Sequence, residues 1–319
     1  MSRPMAINRP TPEQPLKIGT RGSPLALAQA NETRDRLAAA WDLPHEAFSV
    51  VVIKTTGDRV IDRPLKEIGG KGLFTREIED AMLSGEIDIA VHSMKDMPVL
   101  QPGGLVLDCY LPRADERDAF ISLKGGRLAN LPEGTVVGTS SLRRKSQLLH
   151  RRRDLQVVEF RGNVQTRLKK LKDNVAAATF LAMAGLTRLN MLDEVPHTAI
   201  PPDEMLPAVA QGAIGIERRA DDHGTGEMLE AIHDLRTAER LAAERAFLAA
   251  LDGSCETPIA GLAEIDGGTL RLRGEILRTD GSEALSDEAS GAVEDGAEMG
   301  RVMAEGLLAR AGEGFFDWK

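Results

Sequence analysis

The sequence predicts two α/β domains joined by a hinge and a double crossover, followed by a small α+β C-terminal domain. Three observations carry that prediction. Strand and helix patterns alternate through residues 16–111 and again through residues 135–191. A polar break at 112–117 separates the two runs, and a second crossing at 201–216 leads the chain back. Beyond residue 235 the pattern changes to helix, two strands and a final helix.

Residues 16–20 read as the first strand, followed by Arg21-Gly22 and then Ser23-Pro24, an N-cap with proline at the first helical position. The helix runs to about residue 40. Backbone N–H groups and the positive helix end beside Arg21 and Ser23 suit a carboxylate or phosphate. Residues 48–54 are β-branched enough for a second strand. The stretch 55–72 is too rich in glycine and charge for a regular element, and a connection this long in a compact domain reads as a lid or binding loop. It fails the phosphate-loop spacing, because Gly72 follows Lys71 where Ser or Thr is required. A helix at 74–84 ends at Gly85 and leads into a strand at 87–91. The polar cluster His92, Ser93, Lys95 and Asp96 follows where that strand ends, the place where α/β sheets bind ligands. A strand at 105–111 holds Cys109, which reads as a small buried hydrophobe.

The second domain repeats the plan with strands at 135–138, 155–160 and 178–182 and helices at 142–152, 164–171 and 184–191. Its bases fall at strand-to-helix junctions: Ser140, Arg143 and Arg144 at one, Arg161 and Arg167 at the next, and Arg188 near the end of the third helix. Between residues 143 and 170 there are ten Lys or Arg against Asp154 and Glu159 only. Arginine's planar fork binds carboxylates bidentately, so several such turns suit a ligand carrying several carboxylates. In the last domain the helix at 236–251 ends in a turn holding Cys255, strands follow at 259–265 and 269–277, and a helix closes at 294–311. A cysteine in a glycine turn is less easily buried than Cys109, which leaves open whether its thiol is reactive.

Composition narrows the function. With 42% hydrophobic and 28% charged residues, the chain is of ordinary globular type. No apolar run approaches the roughly 18 residues of a membrane span, and residues 1–15 lack the core of a signal peptide, so the chain is expected in the cytoplasm with a disordered lead. Two cysteines and scattered histidines support neither a disulfide scaffold nor a metal site. A net charge of −9 argues against a general nucleic-acid binder. Nothing demands more than a monomer.

Several motifs taken together resemble the porphobilinogen deaminase (hydroxymethylbilane synthase) family. They are residues 20–27, 69–74, 88–98, 138–144, 161–167, 184–189, 211–213 and 253–258, in the family's order. The resemblance implies two periplasmic-binding-protein-like domains, comprising 16–112 with 213–230 and 117–206, and a third domain at 235–319. It implies a transferase that joins porphobilinogen head to tail with loss of ammonia and releases a linear tetrapyrrole by hydrolysis. Growth takes place on a dipyrromethane cofactor held by a thioether that matches Cys255. Lys95, Ser140, Arg143, Arg144, Arg161 and Arg188 match cofactor-binding positions. Arg21, Ser23, Lys71, Phe74, Arg161, Arg167 and Gln211 match substrate-binding positions, and Asp96 matches the catalytic carboxylate. A rival is a non-catalytic hinged anion binder, since two α/β domains with a double crossover also describe solute-binding proteins. That rival gives no role to Cys255 or to an acid set among bases.

Overall fold

In the computed structural model, residues 9–59, 75–254, 257–312 and 314–316 are described. The chain divides into two compact units: Met1–Arg113 with Ala213–Ala238, and Ala114–Gly212 with Glu239–Lys319.

The first unit is built on a five-stranded sheet of order β2-β1-β3-β10-β4, made of β1 (Leu16–Thr20), β2 (Phe48–Val52), β3 (Ile89–Ser93), β4 (Leu105–Tyr110) and β10 (Ile214–Arg219). β1 runs parallel to β2 and β3, whereas β10 is inserted antiparallel between β3 and β4. The sheet therefore departs from the all-parallel arrangement that the strand–helix alternation predicts. The returning crossover brings β10 in from the opposite end, so it has to run against its neighbours. Ile18, Ile89, Val91, Ile214 and Ile216 form the core on one face with Ala30 and Leu37 of the Pro24–Trp41 helix. Ala90 and Ile87 pack on the other face with Ile78 and Met82 of the Arg76–Leu83 helix.

Pairing with β10 also places β3 two residues later than the predicted strand at 87–91. Ser93 is opposite Ile214 and His92 is opposite Gly215, so both polar residues lie inside the strand. Gly215 is required there, because a Cβ at that position would stand 2.1 Å from the Met94 sulfur and 2.8 Å from Leu107.

The second unit holds two sheets. The larger has the order β7-β6-β8-β5-β9, with β5 (Asp118–Ile121), β6 (Val136–Gly138), β7 (Gln156–Val158), β8 (Ala178–Ala182) and β9 (His197–Ala199). β6 is parallel to β7 and β8, and β5 is antiparallel to β8 and β9. The short strands β5 and β9 are not predicted from the sequence, since four and three residues give too little periodicity. The smaller sheet is an antiparallel meander of β11 (Ile259–Asp266), β12 (Thr269–Leu277) and β13 (Ala284–Ala292), packed under the Gly296–Arg310 helix. It has one strand more than predicted. β13 carries Asp287 and Glu288 and forms an edge with no fully buried residue, where charge discourages further strand pairing.

Among the described residues no helix is long and apolar enough to cross a membrane.

Candidate functional site

Two groups of side chains, one in each unit, gather at the carboxyl ends of adjacent parallel strands.

In the first unit, Arg21 and Ser23 follow β1, and Lys95 and Asp96 follow its neighbour β3. Ser23 caps the Pro24–Trp41 helix, its Oγ accepting from the Ala26 N–H at 3.2 Å, and proline at the first position needs no partner for a missing N–H. Asp96 ends a single 3₁₀ turn, Met94–Asp96. That turn is pinned by Met94 N–H donating to the Ala213 carbonyl (3.1 Å) and Met97 N–H to the Met94 carbonyl (3.2 Å). Arg21, Ser23, Gln29, His92, Ser93 and Asp96 border one recess with about 450 Å³ of space including its open mouth. A carboxylate and a guanidinium thus face the same small volume, one suited to a cationic centre and the other to an anionic substituent.

Two features of that recess are not legible in the sequence. Gln29 is buried, and its amide nitrogen and oxygen lie 2.9 and 3.0 Å from the Ser93 hydroxyl, which ties the helix to β3. On the opposite face of the sheet, His92 Nε2 is 3.1 Å from Oε2 of Glu217, and both residues are buried. The register explains the meeting: Glu217 is opposite Ala90, so it lies diagonally from His92 on the same face. Glu79 of the Arg76–Leu83 helix is buried beside them. Burial pushes its carboxyl above the usual range, the Thr75 hydroxyl opposes that, and the charge of Glu217 adds to it.

In the second unit, β6, β7 and β8 are adjacent and parallel, so their carboxyl ends share one sheet edge. Ser140, Arg143 and Arg144 follow β6, Arg161 and Arg167 follow β7, and Arg188 closes the Met183–Arg188 helix after β8. Ser140 Oγ accepts from the Phe160 N–H at 2.9 Å, joining two of these turns. Arg161 is half-buried, and its carbonyl accepts from Lys170 Nζ at 3.0 Å. Arg167 Nε donates to the Gly162 carbonyl (2.9 Å) and Arg188 Nη2 to that of Gly212 (3.1 Å).

Arg143 and Arg144 are only 4% and 5% exposed, in contrast to the open anion-binding turn their position predicts. Between them lies Asp118, fully buried, 2.8 Å from Arg143 Nη1 and 2.7 Å from Arg144 Nη2. Burial works to raise the Asp118 carboxyl, but the charges of Arg143 and Arg144 outweigh it and hold the group well below the ordinary carboxylate range. Gln211 Nε2 donates to the same carboxylate at 2.9 Å. Arg144 spends its remaining Nη1 on the Phe180 carbonyl (3.1 Å), whereas Arg143 Nε is buried with no hydrogen bond among the described residues. No sequence signal marks Asp118 as their partner, since it sits next to the polar break at the start of an unpredicted strand.

Lys71, Phe74 and Cys255 lie outside the described residues. Thr257 Oγ1 accepts from the Ser254 N–H at 3.0 Å and donates to the Ser254 carbonyl at 2.7 Å. Among the described residues no cluster of His, Cys, Asp or Glu is placed to hold a metal ion.

The family described as porphobilinogen deaminase, dipyrromethane cofactor binding domain, matches residues 16–227, and the family's C-terminal domain matches residues 238–309. The porphobilinogen deaminase of Paracoccus denitrificans (strain Pd 1222) is 69% identical over 309 residues, covering 97% of this chain and 98% of that protein. The chloroplastic porphobilinogen deaminase of Pisum sativum is 54% identical over 308 residues, covering 95% of this chain and 83% of that one. Among solved structures, the periplasmic VFT2 domain of Bordetella pertussis BvgS is similar at 14% identity and a TM-score of 0.40, covering 72% of this chain and 92% of that one.

Proposed function

The chain belongs to the porphobilinogen deaminase family and is a transferase that polymerises porphobilinogen on a dipyrromethane primer to give hydroxymethylbilane; we propose that Asp96 is its catalytic carboxylate. The observation that carries this assignment is the shared recess, where Asp96 faces Arg21 and Ser23. Loss of ammonia from the aminomethyl group of porphobilinogen leaves positive charge spread over the pyrrole and its N–H. A fixed carboxylate beside that N–H stabilises the cation, while Arg21 and the helix end at Ser23 hold a substrate carboxylate. Half-burial of Asp96 limits screening by water and strengthens the effect.

The residues of the second unit fit a polycarboxylate such as dipyrromethane. They follow three adjacent parallel strands that end at one sheet edge, and Arg143 holds a buried Nε with no hydrogen bond to any described residue. When bound, the dipyrromethane supplies the primer pyrrole whose free α-carbon is the nucleophile. Ser140, Arg143, Arg161, Arg188 and Lys95 are assigned to its acetate and propionate groups. Arg144, whose nitrogens are engaged by Asp118 and Phe180, contributes charge at that edge and fixes the turn. Arg167, Gln211, Lys71 and Phe74 are assigned to the incoming substrate, and Cys255 to the thioether. We further assign the enzyme to the cytoplasm as a monomer, acting on a small molecule and on neither nucleic acid nor membrane.

Asp96→Asn tests the central assignment. The variant keeps its fold and its covalent cofactor but loses turnover by about 10²-fold or more; near-normal product formation refutes the role. The intact mass of the wild type exceeds the sequence mass by a dipyrromethane, and Cys255→Ser removes that increment. A retained increment places the attachment elsewhere.

A further inference from the structure

We propose that His92 accepts, at Nδ1, the proton lost from the acceptor pyrrole's α-carbon as each new bond forms, and that Glu217 is the residue that positions its ring. The inference rests on placing the reacting ring in the Asp96 recess.

The chemistry requires such a group. Each addition forms a bond between the free α-carbon of the acceptor pyrrole and the methylene that has lost ammonia. The α-carbon's C–H bond then breaks, its electron pair restores the aromatic ring, and the proton needs a base. Together that proton and the departing ammonia amount to ammonium, so the enzyme ends each cycle unchanged. Asp96 does its work as an anion beside the cationic ring, and holding a proton there would cancel that charge. A second base in the same recess removes the conflict.

His92 meets the requirement by position. It borders the recess together with Asp96, although only 5% of it is exposed. Its Nε2 is committed to Glu217, 3.1 Å away, which leaves Nδ1 as the ring nitrogen open to a proton. Glu217 is fully buried, and its Oε1 has no hydrogen bond among the described residues, so its charge is directed at the imidazole. The other ionisable groups around the pair are Glu79 on the facing helix, and Arg21, Lys95 and Asp96 on the turns that border the recess. Burial pushes the Glu79 carboxyl above the usual range, and Glu217 is the carboxylate in contact with the imidazole.

The test uses the cofactor-loaded enzyme with porphobilinogen deuterated at its free α-carbon. Replacement His92→Gln keeps a donor for Glu217 but cannot take up a proton. Its melting temperature and covalent cofactor mass stay at wild-type values. Its rate of chain elongation, followed as pyrrole increments in the intact mass, falls about 10²-fold, within the range of a lost general base. Its deuterium isotope effect rises above the wild type's. Glu217→Gln raises the isotope effect in the same direction with the imidazole present, and decides the matter if His92→Gln melts early. A wild-type isotope effect in a folded variant overturns the inference. The result for Asp96→Asn separates the two readings. If that variant is inactive while His92→Gln is normal, only the proton acceptor is wrong; if Asp96→Asn elongates normally, the placement of the ring in the recess fails as well.

Discussion

Replacing Asp118 with Asn removes the one negative charge lying between Arg143 and Arg144 and leaves nearly the same shape behind. Asp118 is fully buried and within 2.9 Å of Arg143, Arg144 and Gln211. Removing one partner of a buried ion pair typically costs about 3–5 kcal/mol, because the remaining charge is left uncompensated. Here two guanidiniums are left facing each other, so the upper part of that range is expected. For a chain of this size the loss lowers the melting temperature by about 6–20 °C. The pH dependence has a definite sign. The folded carboxyl titrates well below the roughly 3.9 of an unfolded aspartate, so its contribution is complete above that value and is lost as the pH falls toward the folded one. Denaturant unfolding of wild type and Asp118→Asn at pH 7 and at about pH 3 checks both points: the gap between them is large at pH 7 and narrows in acid. A gap below about 1 kcal/mol at pH 7, or one of equal size at both pH values, refutes the claim that this carboxylate neutralises the arginine pair.

Three further outcomes follow from the packing. Gly281 has φ +73°, and a Cβ there would stand 2.7 Å from the backbone N of His150 and 2.8 Å from the Ser146 carbonyl, atoms that cannot step aside. Gly281→Ala therefore costs about 2 kcal/mol or more in denaturant unfolding, and it loosens the Leu142–Arg151 helix that carries Arg143 and Arg144. Gly215→Ala forces Met94 and Leu107 to repack, costing about 1–3 kcal/mol; because Met94 opens the turn that carries Asp96, turnover measured per folded molecule drops as well. Burial pushes the Cys109 thiol up to about 12, so iodoacetamide at pH 8 leaves it unmodified in the folded protein and alkylates it in urea, as peptide mass mapping will show.

What could be read from the sequence was whatever is local in the chain. The junction from Thr20 to Pro24 encodes a strand end, a cap and a helix start within five residues, and the structure has all three. The arginine turns after β6 and β7 were legible for the same reason, since their bases sit beside an N-capping hydroxyl or amide. The partners of these groups were not legible. Glu217 is 125 residues from His92, and Asp118 is 26 from Arg144, so each pairing depends on a strand register that periodicity does not encode. The antiparallel insertions of β10 and β5 are the elements that bring these acids to their places.

The two buried acids perform one task at two sites. In the second unit, neighbouring guanidiniums repel one another unless an anion lies between them, and Asp118 supplies that anion from inside the fold. Because it is buried and ionised throughout the neutral range, the arginine edge can form before any polycarboxylate arrives. In the first unit the polarity is reversed. Glu217 stands under a histidine rather than between arginines, beside the recess that Asp96 borders. An arginine in place of His92 would hold its proton permanently and could never accept one.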